Sequence, residues 1–129
     1  MVIDTSALVA ILWKEPEAAD FLDRIASDPV RLLSSVSKFE SGLVVEARRG
    51  AVAGHELVLL LTQLEVEAVA FDPAQADLAL HAWRLYGKGR HPAGLNFGDC
   101  CAYALATLRR QPLLFKGADF TETDVARCV

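Results

Sequence analysis

Met1-Val2-Ile3-Asp4-Thr5-Ser6-Ala7-Leu8 opens the chain. Three apolar residues run straight into a carboxylate, and a second apolar run follows. A strand covered on both faces reads as unbroken apolar sequence, so Met1 to Ile3 predicts a buried strand that ends at Asp4. Ser6 predicts the N-cap of a helix over Ala7 to Lys14.

The same alternation continues outward from there. Pro16 punctuates, and Ala18, Phe21, Leu22 and Ile25 mark one face of a helix from Glu17 to Ser27. Asp28-Pro29 is a turn, and Arg31 to Ser34 predicts the second strand. Ser37-Lys38-Phe39-Glu40 fits a capping box at the start of a helix that Gly50 stops after Arg49. His55 to Leu64 predicts another helix, and Val66 to Phe71 alternates as a third strand. Asp72-Pro73 opens a helix to Tyr86. Gly87 to Leu95 is a Gly/Pro/basic loop, and Asn96 caps a helix from Phe97 to Arg110. Pro112 to Lys116 predicts the fourth strand, followed by a loop to Asp124 and a short last strand over Val125 to Val129. Strands alternating with helices predict an α/β fold of three layers, with a central, mostly parallel sheet of four or five strands.

Length predicts one domain over residues 1–129. Apolar residues make up 53% of the chain, which excludes intrinsic disorder and leaves apolar surface for a partner. The longest apolar run, Ala7 to Trp13, is far short of a membrane span. No basic segment stands at the start, so no secretory signal is expected. Three cysteines without a CxxC predict reduced thiols and a cytoplasmic protein. The net charge of −4 argues against a polyanion ligand. That objection fades if four carboxylates serve a metal, because 13 cations then face 13 anions.

Four acidic residues stand where chemistry is expected. Asp4 ends an apolar strand, although capping the next helix is an equal alternative. Glu40 has Val36, Leu43 and Ala47 on its helical face, and a carboxylate in an apolar stripe is costly unless paired or on a metal. Its alternative role is to complete the capping box. Asp99 has Ala102, Tyr103 and Ala106 on its face, against a plain role as a helix-dipole partner and reciprocal cap. Asp119 follows the fourth strand, where a turn role is the alternative. In a parallel sheet all four positions fall at the carboxyl edge, where open α/β sheets bind ligands. Bare carboxylates there repel one another, and a divalent cation resolves the conflict. Oxygen-only ligands suit Mg²⁺ or Mn²⁺, and the lack of His or Cys among them disfavours zinc. With no dinucleotide loop, P-loop or nucleophile elbow, the set points to phosphoester hydrolysis by metal-activated water. Arg84-Leu85-Tyr86-Gly87-Lys88-Gly89-Arg90-His91 offers cations and an aromatic to a polyanion, unless it is simply a solvated loop. Lys38 and Lys116 are weaker substrate candidates. Arg48, Arg49, Arg109 and Arg110 are accounted for by helix C-termini, and His55 and His81 read as structural.

In order along the chain, Val2-Ile3-Asp4-Thr5-Ser6-Ala7-Leu8, Glu40 within Ser-Lys-Phe-Glu, Leu95-Asn96-Phe97-Gly98-Asp99, and Leu114-Phe115-Lys116-Gly117-Ala118-Asp119-Phe120 with Thr123-Asp124 resemble the motifs of PIN-domain ribonucleases, specifically the small VapC-type toxins of toxin–antitoxin pairs. Ala118 is a minor departure. The resemblance implies a Mg²⁺-dependent endoribonuclease with Asp4 and Asp99 as principal metal ligands and Glu40 and Asp119 completing the acidic site. It implies that Thr5 or Ser6 orients Asp4 and that Asp124 lies further out. It implies an RNA substrate, a homodimer and a VapB-type antitoxin. A non-catalytic binding module of the same fold, or a metal phosphatase, are the other readings of these residues. Leu8, Ile11, Leu12, Trp13 and the Leu57-Val58-Leu59-Leu60-Leu61 stretch exceed what a small sheet must cover and are expected to form dimer and antitoxin surfaces.

Overall fold

The sheet is built from pairs of residues that face opposite ways. The computed structural model describes residues 1–128. Its strands are β1 (Val2–Ile3), β2 (Leu32–Ser34), β3 (Glu67–Val69) and β4 (Leu113–Leu114), in the order β3-β2-β1-β4 and all parallel. Val2, Leu32 and Leu113 point into one apolar core, and Ile3, Leu33 and Leu114 into another. Successive strand side chains alternate, so a two-residue apolar strand serves both faces at once.

Helices α1 (Thr5–Leu12), α2 (Ala18–Ser27) and α3 (Ser35–Gln63) close the core that contains Ile3. Helices α4 (Pro73–Tyr86) and α5 (Phe97–Arg109) close the other. The expected three-layer α/β/α architecture is therefore present. Gly50 does not end a helix outright: at φ 80° and ψ −176° it breaks α3 into two helical arms with no intervening loop. Few residues other than glycine adopt that backbone. β3, at the sheet edge, exposes Glu67 and Ala68. The expected last strand reduces to a single parallel bridge between Leu113 and Arg127, and Val129 lies outside the described residues.

Two expectations about surfaces need correction. Leu8 and Ile11 are core residues, at 0% and 7% exposure, because α1 is wedged between the sheet, α2 and α3. In the Leu57–Leu61 stretch, Leu57 is buried while Val58 and Leu59 are exposed. The helical period splits that stretch between core and surface. Among the described residues, no helix is long and apolar enough to cross a membrane.

Candidate active site

The chain runs β1, β2, β3 to one side and returns with β4 on the other side of β1. That reversal opens a crevice at the carboxyl ends of β1 and β4. Asp4 leaves β1 there, and its backbone N–H donates to the Leu114 carbonyl at 2.9 Å. Asp4, not Ser6, is the N-cap of α1, and its Oδ2 accepts from the Ser6 amide at 3.0 Å and the Ser6 hydroxyl at 2.6 Å. The same hydroxyl accepts from the Lys116 amide at 3.0 Å, which ties the end of β4 to the start of α1. Capping and a functional role are not exclusive for Asp4: one oxygen caps, and the residue is 4% exposed.

α3 begins earlier than expected. Ser34 caps it, so Ser37 falls inside the first turn and the expected box between Ser37 and Glu40 does not form. The buried stripe is Ser37, Ser41 and Val45, whereas Leu43 is 55% exposed. Glu40 therefore borders the buried stripe instead of lying within an apolar one. The Thr5 hydroxyl donates to the Ser37 carbonyl, while the Ser37 hydroxyl is buried without a hydrogen-bond partner.

On α5, Asn96 and Asp99 form a reciprocal capping box, each side chain accepting from the other's backbone N–H at 2.9–3.0 Å. Ala102, Tyr103 and Ala106 are buried as expected. Gly98 is a residue that sequence reasoning missed. A Cβ added there would collide with the Glu40 carboxylate, so the bare glycine is where α3 and α5 bring their acids together. An isolated Gly in a helix beside an acid was the available signal. Gly98→Ala should displace Glu40 without unfolding the chain, because the clash is with the end of a flexible side chain. Misplacement on the ångström scale can cost about 10²-fold in rate. The activity of the site is expected to fall by about that factor while the melting temperature stays put; unchanged activity would count against a role for Glu40.

Burial raises the Asp4 carboxyl to about 6, against the pull of its Ser6 hydrogen bonds and with a further push from the charge of Glu40. Burial likewise raises Asp99 to about 7, opposed by the Asn96 amide and reinforced by the charges of Asp4, Asp119 and Glu40. Asp4, Glu40 and Asp99 thus share one electrostatic neighbourhood. Asp119 lies on the exposed loop after β4 and bears on Asp99 from the rim. Asp124 is elsewhere: it accepts from the Tyr103 hydroxyl, near Arg110 and Pro112 at the opposite end of β4. Lys116 pairs with Glu15 and Glu17 instead of facing a substrate. Arg48 and Arg49 lie over the Trp13 ring at 4.9 Å each.

Among the described residues, none of the four acids pairs with a Lys, Arg or His, and no three His, Cys, Asp or Glu side chains form a ready-made metal cage. The donor set fits a hard dication that keeps several waters and needs only one or two direct carboxylates. Two buried carboxyls without a cationic partner among the described residues are what such a hydrated ion would satisfy.

Comparison with known proteins identifies the family and the fold. The PIN-domain family model matches residues 1–126. A ribonuclease VapC of Mycolicibacterium smegmatis is 56% identical over 126 residues, covering 98% of each chain. The chain belongs to the VapC ribonucleases of the PIN-domain family. Among solved PIN-like structures, it resembles Mycobacterium tuberculosis VapC20, a sarcin-ricin-loop-cleaving toxin, with TM-score 0.78 at 17% identity, over 98% of this chain and 97% of that one. It also resembles a chain of a toxin–antitoxin complex from Klebsiella pneumoniae, with TM-score 0.72 at 18% identity, over 95% and 92%. At these identities the two structures speak for the VapC fold alone.

Proposed function

We propose that this VapC-family ribonuclease is an endoribonuclease that hydrolyses RNA phosphodiesters with a divalent cation held by Asp4 and Asp99, and that Glu40 and Asp119 complete the acidic site. The observation that carries the reading is the pair of nearly buried carboxyls at the topological switch point, without a cationic side chain beside them. Mg²⁺ suits these oxygens, and Mn²⁺ is the substitute of the same chemistry. Bound there, the cation supplies Lewis acidity at the phosphoryl oxygens and a water acidic enough to react at neutral pH.

The chain's own part is preorganisation. Ser6 fixes one oxygen of Asp4, the Asn96 amide fixes one of Asp99, and Gly98 gives Glu40 its seat. Each acid keeps an oxygen that its cap does not use. Holding these groups in place before substrate arrives spares reorganisation during the reaction.

As the toxin of a toxin–antitoxin pair, the protein requires an antitoxin surface. The groove between the arms of α3 supports one: it encloses about 410 Å³, and Phe39, Leu43 and Val58 on it are 68%, 55% and 58% exposed. An amphipathic partner segment fits such a groove. Homodimer formation and action in the cytoplasm belong to the same proposal.

The test is to induce the wild-type protein and Asp4→Ala in cells and sequence RNA ends. New 5′ ends are expected with the wild type alone; the same ends with both proteins would overturn the assignment of the site.

A further inference from the structure

The basic loop singled out in the sequence does not point idly into solvent. Residues 88–94 are clamped at their base, where the Lys88 amide donates to the Leu95 carbonyl at 3.0 Å and the Leu95 amide to the Tyr86 carbonyl at 2.9 Å. The clamp sets Lys88, the first residue of the loop, against an apolar cavity of about 510 Å³ between α4 and the first turn of α5. Phe71, Leu80, Trp83 and Phe97 supply its aromatic and aliphatic walls, and among the described residues Lys88 is the one charged residue lining it. Arg90 places its guanidinium 4.6 Å from the Trp83 ring centre.

Phe97 has no folding reason to be where it is. It is the first residue of α5 and is 78% exposed, and Trp83 across the cavity is 40% exposed. The cavity also adjoins the acidic site. Cys100 and Cys101, which follow Asp99 directly in α5, line it. Asp99 and Phe97 share one helical turn, so the two sites are separated by about the 10 Å width of a helix.

We propose that this cavity receives a nucleobase of the RNA substrate, splayed out beside the scissile phosphate and stacked on Phe97 and Trp83. The inference rests on the ribonuclease reading of the acidic site. Charge selects the occupant: in a chain of net charge −4, Lys88 lines the aromatic cavity, Arg90 sits on the Trp83 ring that forms its wall, and no acid is among the described lining residues. Cations for the backbone beside aromatic faces for the base are the combination that single-stranded RNA demands. In this role the loop and Phe97 govern which nucleotide lies next to the cut, while the carboxylates govern the cut itself.

The test uses the full chain in an Asp99→Asn background and short RNA homopolymers of equal length, with a ribose-phosphate oligomer lacking bases as the reference probe. Stacking on an exposed aromatic should make base-bearing RNA bind about tenfold tighter than the abasic probe. Phe97→Ala and Trp83→Ala should erase most of that ratio, and Phe97→Tyr, which keeps the ring, should retain it. Equal affinity for both probes in the parent protein, or an unchanged ratio in Phe97→Ala, would overturn the proposal. So would a halved solution mass for Phe97→Ala, since that assigns the ring to a second copy of the chain. Failure of the ribonuclease reading shows separately, as wild-type protein that leaves the same RNAs uncut in the presence of Mg²⁺.

Discussion

Asp99→Asn is expected to abolish RNA cleavage while leaving the protein folded and, without metal, more stable than the wild type above pH 7. The fold survives because the Asn amide oxygen can still accept from the Asn96 N–H, which preserves the box at the start of α5. What disappears is a full negative charge at the site of a proposed metal ligand. Lewis-acid stabilisation of a phosphoryl transition state is worth several kcal/mol, or about 10³-fold in rate. Cleavage and growth arrest should both fall by at least that factor.

The opposite sign on stability is the more discriminating half. Asp99 sits at about 7 because burial disfavours its charge and three neighbouring acids repel it. A neutral amide removes that repulsion, so melting of the metal-free variant should rise by a few degrees at pH 8. Loss of cleavage together with a lower melting temperature would point to a misfolded helix start. Retained cleavage would remove Asp99 from the site.

The sequence made the sheet legible because parallel strands covered on both faces leave an unmistakable apolar signature, and Asp4 interrupts it at once. The burial of Asp99 was legible only in part: Ala102, Tyr103 and Ala106 are inward as expected, but α5 is buried all round from Gly98 to Ala106 and so has no single inward face there. The environment of Glu40 was not legible. Its helix starts two residues before the expected first turn, because Ser34, at the end of β2, is itself the cap. That shift rotates the buried stripe onto serines, which no hydrophobic pattern reveals. Small hydroxyl residues pack closely there because they have little volume, not because they are apolar. Contacts between distant segments were likewise invisible: Glu40 against Gly98, and Asp124 with Tyr103, depend on how the layers stack. The span of α3 across Gly50 was misread for a local reason. A glycine with positive φ looks like a stop, but here it redirects the backbone straight into a second helical arm.

Metal-free protein should lose stability as pH rises from about 5 to 8, and Mg²⁺ should cancel much of that loss. In the folded state Asp4 and Asp99 titrate at about 6 and about 7, above the 3.8 of an unperturbed Asp. Between these limits the folded chain holds more protons than the unfolded chain. Stability therefore falls with rising pH and levels off once both carboxyls are ionised in both states. The drop is on the order of 3 kcal/mol, since each tenfold change in proton affinity is worth about 1.4 kcal/mol and the two sites are coupled. Asp28 acts the other way below this window. Partial burial raises its carboxyl, but bonds from the Met1 amino group and the Val30 amide outweigh that and hold it below its usual range. Its contribution is present above the unfolded value of 3.8 and is lost on further acidification, so the stability optimum should fall near pH 4. Mg²⁺ binds the ionised carboxylates of the folded state, so its stabilising effect should grow through the same window in which the metal-free protein weakens. Urea denaturation at several pH values, with and without Mg²⁺, reads both slopes. Asp99→Asn should flatten the metal-free slope and lose most of the Mg²⁺ response. A metal-free protein whose stability rises from pH 5 to 8 would mean that these carboxyls are paired in a way the fold does not show, and the case for an ion between them would fail.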